Sequence, residues 1–395
     1  MTKMLKKQNA GSMAQKYCCG CGLCSNFVDG DYNEKGYYRP DADVLTHKFD
    51  IDYCYSSSLD SMVSEGLWGK YKAIYYTYSN DNYVRNKASS GGTLTEVAAY
   101  LLASGQVDFI VHASYSHNSK IKTEISISST RQEVIEKCGS RYTASALLEN
   151  IFDILDQKKR YAFIGKPCDI KVLRTYLQKN PEWNRSIVFL LSFFCGGTPS
   201  YQANVKLLHA MELEEENLTM FTYRGNGWPG KATGSTKDGR TKSMDYENSW
   251  GRILGRDLQD ICRFCWDGVG MAADISCGDG WYLENGKPSF RERPGRNITF
   301  ARTDKGYKVL QEMKQCGSIS LDEEKNEDIL AQMQPGQFMR KAAMFSRVLA
   351  MRFMRKPVPY YEMRELLPYA KLISVATNAR MFYGTIKRIV QGRIK

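Results

Sequence analysis

Between Leu67 and Phe194 the apolar residues change period repeatedly, and that alternation restricts the fold more than any other feature of this 395-residue chain. LWGKYKAIYYTYS (67–79) has the aromatic and β-branched content of a strand. GGTLTEVAAYLLASGQ (91–106) places apolar residues at helical spacing, with Gly105 as its stop. VDFIVHASY (107–115) then reads as a buried strand, TASALLENIFDILDQKK (143–159) as a helix and RYAFIG (160–165) as a strand. DIKVLRTYLQKN (169–180) reads as a helix, and IVFLLSFF (187–194) as a strand too short to cross a membrane, which takes about 20 residues. Strands alternating with helices predict an α/β sheet covered on both faces.

The flanks differ in character. Residues 1–65 read as a loop-rich cysteine module, 66–310 as the α/β core, and 311–395 as a helical, basic C-terminal region. From 223 to 260 the chain is Gly-, Lys- and Asp-rich, as in hairpins or a long loop. The net charge is +12, yet Arg340–Lys395 holds thirteen Lys and Arg against Glu362 and Glu365. A charge confined to one tail argues against a general nucleic-acid-binding surface and for one local acidic contact. Phe338, Ala342, Phe345 and Leu349 share a helical face there, which suits an anionic membrane surface or docking on the body. The first residues are basic but have no apolar signal core, so the expected location is the cytoplasm, with the tail offering a peripheral contact to the inner face of the membrane.

Twelve cysteines in so long a chain are too sparse for a disulfide scaffold, and in a reducing compartment clustered cysteines bind metal or do redox chemistry. Cys18, Cys21 and Cys24 make C-x-x-C-x-x-C, with Cys54 the nearest remaining thiol and Cys19 left over. That set suits either one side of an iron–sulfur cluster or a zinc site. Cys168 and Cys195 follow strands, and Cys262 and Cys265 form CRFC. Residues beyond the carboxyl ends of sheet strands converge, so these four either make a thiolate cage or include small buried hydrophobes. Cys138, Cys277 and Cys316 lack partner spacing and read as structural.

Two turns have the composition of anion cradles. Ser89, Ser90, Gly91, Gly92 and Thr93 precede a helix, and Gly139, Ser140, Arg141 and Tyr142 form a second such turn. Neither is a Walker or dinucleotide fingerprint, and an ordinary N-cap turn has the same composition. Tyr142 and Asp279 are the candidates for a general acid, and no arrangement singles out either one.

In order, CCGCGLC, KASSGGTLTEVAAYLLASGQ, CGSRYTASALLENIF, YAFIGKPCDIKVL, FFCGGTPS and CRFCWDGVGMAADISCGDGW resemble the family of coenzyme F-420 hydrogenase and dehydrogenase beta subunits over residues 17–310. The branch it resembles is the bacterial one that accompanies polysaccharide synthesis. The resemblance implies an iron–sulfur flavoprotein with FAD (or FMN) and two [4Fe–4S] clusters. By similarity Cys168, Cys195, Cys262 and Cys265 hold the cluster beside the flavin, and Cys18, Cys21, Cys24 and Cys54 hold the other. The turns at Ser89–Thr93 and Gly139–Tyr142 fall where the family wraps the flavin. The implied donor is ferredoxin, another redox subunit or the deazaflavin itself. The sequence departs from the family at Asp169 (commonly Gln), Gly196 (commonly His) and Arg141 (commonly Lys). Three functions follow: an oxidoreductase with its own organic substrate, an electron-transfer subunit with none, or a zinc-stabilised binding module.

Overall fold

The computed structural model describes residues 16–41, 53–324 and 326–394. Residues 1–15 and 42–52 of the expected cysteine module, His47 among them, lie outside the described residues. The core is one mixed sheet of eight strands. In chain order these are β1 (Ala73–Ser79), β2 (Phe109–Ser116), β3 (Ser119–Ser128), β4 (Tyr161–Gly165), β5 (Ile187–Phe193), β6 (Ile275–Asp279), β7 (Asn297–Ala301) and β8 (Ile319–Glu323). Across the sheet they run β8-β1-β7-β6-β5-β4-β2-β3. The four inner strands β2, β4, β5 and β6 pair in parallel, and both flanks are antiparallel.

The parallel strands are near-continuous apolar runs because both faces are buried. Successive side chains go to opposite sides. Ile110, Ala162 and Leu191 join one core with Val97 and Leu101 of α1 (Thr93–Ala103) and with Val309 and Met313 of helix Asp304–Gln315. Val111, Phe163 and Leu190 join the other core with Leu173 of α2 (Pro167–Lys179). The same core takes Tyr17, Leu23 and Leu59 from the cysteine-bearing segments and Met344, Val348 and Leu366 from the C-terminal region. Helix α2 starts where it does because Pro167 occupies its first turn and the Asp169 carboxylate accepts from the Lys166 backbone N–H at 3.0 Å.

One expectation is revised. Residues 143–159 are helical only at Ile151–Ile154. Their backbone bonds leave the segment: Leu148 N–H donates to the Cys21 carbonyl at 2.8 Å, and Asn26 Nδ2 donates to the Leu148 carbonyl at 3.0 Å. Tertiary pairing with the cysteine loop thus overrides helix propensity. Residues 306–395 are mostly helical, as expected, with one strand among the helices. After α3 (Asp304–Gln315) comes β8, which pairs antiparallel with β1. Helices α4 (Pro335–Ala342), α5 (Met344–Phe353), α6 (Met363–Ala370) and α7 (Val375–Val390) follow. The segment at 218–245 is a three-stranded antiparallel sheet, consistent with the hairpins expected there.

Candidate functional site

Beyond the carboxyl ends of the parallel strands lies a cavity of about 710 Å³. Its volume is within the usual range for cofactor sites. Both Gly-rich turns line it: Ser89, Ser90, Gly92 and Thr93 from one, and Gly139, Ser140, Arg141 and Tyr142 from the other. They are tied together, since the Ser140 backbone N–H donates to Ser89 Oγ at 2.6 Å. Gly92 sits at φ +77°, a conformation that favours glycine, and turns the chain into α1. Gly91 does not line the cavity. A Cβ there would come within 2.8 Å of Asn297 Oδ1 and the Thr77 carbonyl, so Gly91 serves close packing instead. Thr93 N–H donates to Asn297 Oδ1 at 3.2 Å, and the Thr93, Thr77 and Thr299 hydroxyls form a buried chain with 2.7 Å links.

The opposite wall is aromatic and cationic, and sequence reasoning missed most of it. Arg224 binds Asp279 through both nitrogens at 3.0 Å, and Trp228 Nε1–H donates to the same carboxylate at 3.0 Å. Arg224 Nη1 also donates to Tyr142 Oη at 3.3 Å, and its guanidinium lies 4.7 Å from the Tyr246 ring. Asp279, a candidate general acid, is therefore bound into an ion pair. Tyr142 packs on Trp250 with ring centroids 4.6 Å apart and planes tilted by 47°, and Trp250 rides on a π-helical turn, Glu247–Ile253. Such turns recur at functional sites. Trp250 fills the space beside Gly196, where a Cβ would overlap its indole. The departure from the family histidine thus has a steric partner. Arg141 also lines the cavity while its Nη2 donates to the Lys120 and Lys122 carbonyls at 2.9 Å. Its buried Nε has no hydrogen-bond partner among the described residues.

A second, smaller cavity of about 20 Å³ adjoins the first. Cys168, Cys195, Cys262 and Cys265 all line it, as the C-x-x-C and strand-end positions suggested. Cys19 lines it too and is hydrogen-bonded to Cys168 and Cys21. The only signal for Cys19 was its place in the cysteine run. Burial pushes the Cys195 thiol up to about 12, with the neighbouring Cys262 and Cys168 adding to it. Cys265 is raised chiefly by burial, and Cys168 by its hydrogen bond to Cys19 and then by burial. Tyr55 Oη lies 3.0 Å from Cys265 Sγ. Cys195, Gly197, Thr198 and Arg340 line both cavities. Cys138 and Cys277, read as structural, line the larger one.

Cys18, Cys21 and Cys24 sit in the loop around the turn Leu23–Asn26, and Cys54 immediately precedes the turn Tyr55–Ser58. The Cys24 thiol is raised by burial first and then by Cys18 and Cys54, so these side chains sense one another. Among the described residues, no three His, Cys, Asp or Glu side chains are grouped so as to hold a metal ion.

Comparison with known proteins adds the lineage. The model for the N-terminal region of the coenzyme F420 hydrogenase/dehydrogenase beta subunit matches residues 74–151, and the model for its C-terminal region matches 158–327. The chain belongs to this family. The F420-dependent formate dehydrogenase subunit beta of Methanocaldococcus jannaschii is 26% identical over 256 residues, covering 64% of this chain and 61% of the relative. The beta subunit of F420-dependent formate dehydrogenase 1 of Methanococcus maripaludis is 22% identical over 249 residues, covering 62% of this chain and 60% of the relative. The chain thus spans about three-fifths of the length of the curated relatives it matches. A chain of the F420-reducing [NiFe] hydrogenase complex from Methanosarcina barkeri has the same fold, with a TM-score of 0.56 at 18% identity, covering 74% of this chain and 97% of that one.

Proposed function

We propose that the protein is an iron–sulfur flavoprotein oxidoreductase. It would pass electrons between a one-electron donor such as ferredoxin, another redox subunit or coenzyme F420, and an organic substrate or partner. One observation carries this reading: a cavity of flavin size and a cavity lined by five cysteines meet at Cys195, Gly197, Thr198 and Arg340. Flavin supplies the exchange between two-electron and one-electron chemistry. The small cavity is rich in thiols, which suit iron, and Cys168, Cys195, Cys262 and Cys265 would hold an iron–sulfur cluster there. Cys18, Cys21, Cys24 and Cys54 would hold a second. The turns Ser89–Thr93 and Gly139–Tyr142 would bind the phosphates, since both line the large cavity and the bond from the Ser140 N–H to Ser89 Oγ holds them together on one ligand. Tyr142, Tyr246, Trp250 and Trp281 supply aromatic surface against which a flavin ring would pack.

A second reading, an electron-transfer subunit with no substrate of its own, is favoured by the engagement of both Asp279 carboxylate oxygens with Arg224 and Trp228, which commits that side chain to holding the wall together. Among the described residues no helix is long and apolar enough to cross a membrane. A peripheral contact through the C-terminal helices is proposed on their exposed Phe353, Leu372, Val375, Tyr383 and Val390, interleaved with exposed Arg355, Lys371, Arg380 and Lys387. The deciding experiment is anaerobic purification with iron, zinc and flavin assays. About eight irons and one flavin per chain are expected for two cubic clusters. A colourless, zinc-containing protein after cluster reconstitution would overturn the redox reading.

A further inference from the structure

Helix α4 begins at Pro335, past residue 327 where the family match ends. It nevertheless reaches the junction of the two cavities. Gln337 Nε2 donates to the Cys195 carbonyl at 2.9 Å. Arg340 Nη1 donates to the same carbonyl at 3.1 Å, and its Nη2 to the Gly196 carbonyl at 2.6 Å. The body is shaped to receive the helix. A Cβ on Gly268 would overlap Gln337 Oε1 and stand 3.0 Å from Arg340 Nη1. The next residue, Lys341, is 1% exposed and donates to the Leu67 carbonyl, which pins the helix from below. Among the described residues no carboxylate forms an ion pair with Arg340, which lines both cavities; Asp267, the carboxylate that shares the small cavity with it, accepts instead from the Val269, Gly270 and Met271 N–H groups.

We propose that Arg340 is a positioning residue of the redox site. It would be a fixed cation outside any ion pair, brought to the junction by a helix outside the family match, that favours the reduced state of whatever the two cavities hold. An added electron makes either group more negative, so a neighbouring cation stabilises the reduced form more than the oxidised one. The fork on two carbonyls holds that charge in place. The inference rests on the redox reading above.

The test uses the anaerobically purified holoprotein and its Arg340→Gln and Arg340→Lys variants. Each is poised at one ambient potential, and the reduced-to-oxidised ratio is read by visible and paramagnetic resonance spectra. Arg340→Gln with normal iron and flavin is expected to lower the ratio for the inner cluster about tenfold, equivalent to about 59 mV for a one-electron couple. Arg340→Lys, which keeps the charge, is expected to stay within about threefold of wild type. An unchanged ratio in Arg340→Gln overturns the proposal, as does an equal fall in both variants. Should Arg340→Gln lose its cofactors, Arg340→Lys decides: cofactors retained with a near-normal ratio support the role of charge, and cofactors lost overturn it. Wild-type protein without iron or flavin fails the underlying redox reading instead, and does so before any variant is compared.

Discussion

Replacing Asp279 by alanine should be among the most damaging single changes in the wall of the large cavity. The side chains of Arg224 and Asp279 are 4% and 17% exposed, and both of their contacts are 3.0 Å long. At an effective dielectric constant of about 20, two unit charges that close attract by roughly 5 kcal/mol, and removing one partner of a buried pair typically costs about 3–5 kcal/mol. The Trp228 indole N–H would lose its acceptor as well, adding about 1 kcal/mol. Arg224 keeps the Pro229 carbonyl at 2.8 Å and the Tyr246 ring, which holds the total near the lower end, about 3 kcal/mol. That is a large share of a typical folding stability of about 5–15 kcal/mol. Urea unfolding followed by tryptophan fluorescence measures it. The matched control is the double variant Arg224→Met/Asp279→Leu, which removes both charges and should recover about 2 kcal/mol of the loss. An Asp279→Ala variant within about 0.5 kcal/mol of wild type would refute the reasoning, as would a double variant as unstable as the sum of the two single changes.

Three further outcomes follow from the geometry. His112 is 7% exposed, and its pKa is lowered to about 4, mainly by burial and secondarily by Lys137. The unfolded chain therefore binds a proton below about pH 6.5 that the folded one refuses until about pH 4, so stability falls by up to about 3 kcal/mol on acidification through that window; His112→Gln should flatten this part of the urea-midpoint profile, and parallel profiles would count against it. Gly196→Ala drives a methyl into the Trp250 indole and should cost about 1–3 kcal/mol, with Trp250→Leu restoring part of it; equal stability of Gly196→Ala and wild type would show that the indole moves freely. Protein mixed with vesicles containing anionic lipid should co-sediment at low salt and be released by high salt, and the double change Phe353→Ser/Tyr383→Ser should weaken this; no sedimentation at low salt would remove the membrane contact.

The sheet was legible where burial on both faces leaves an unbroken apolar run, as at 161–165 and 187–193, or where a helix carries its own stop, as at Gly105. The segments that failed are those whose structure is decided elsewhere. Residues 143–150 have helical composition but pair with Cys21 and Asn26, more than a hundred positions away in the chain. Strand β3 was not read at all. Its outward positions are polar, and its register is fixed by antiparallel pairing with β2. Strand β8 was lost in a helical stretch because its identity comes from pairing with β1.

The candidate site divides along the same line. Cysteines and glycines announce themselves because few other residues do what they do, so eight of the nine expected turn residues line the large cavity and Cys168, Cys195, Cys262 and Cys265 line the small one. Arginine does not announce itself. Arg340, Lys341 and Arg347 were read as part of a basic tail, yet Arg340 binds the Cys195 and Gly196 carbonyls, Lys341 is buried, and Arg347 Nη1 donates to the Arg263 carbonyl at 3.2 Å. The helical face expected from Phe338, Ala342, Phe345 and Leu349 is also displaced. The chain breaks between α4 and α5, burying Met344, Val348 and Met351 and leaving Leu349 at the surface. A net charge therefore overstates what such a tail can offer a membrane, since the cations nearest the body satisfy backbone carbonyls first. The charges left for an outside partner are exposed ones such as Arg355, Lys371, Arg380 and Lys387, on the outer side of helices whose Leu366 and Ile389 still reach the core.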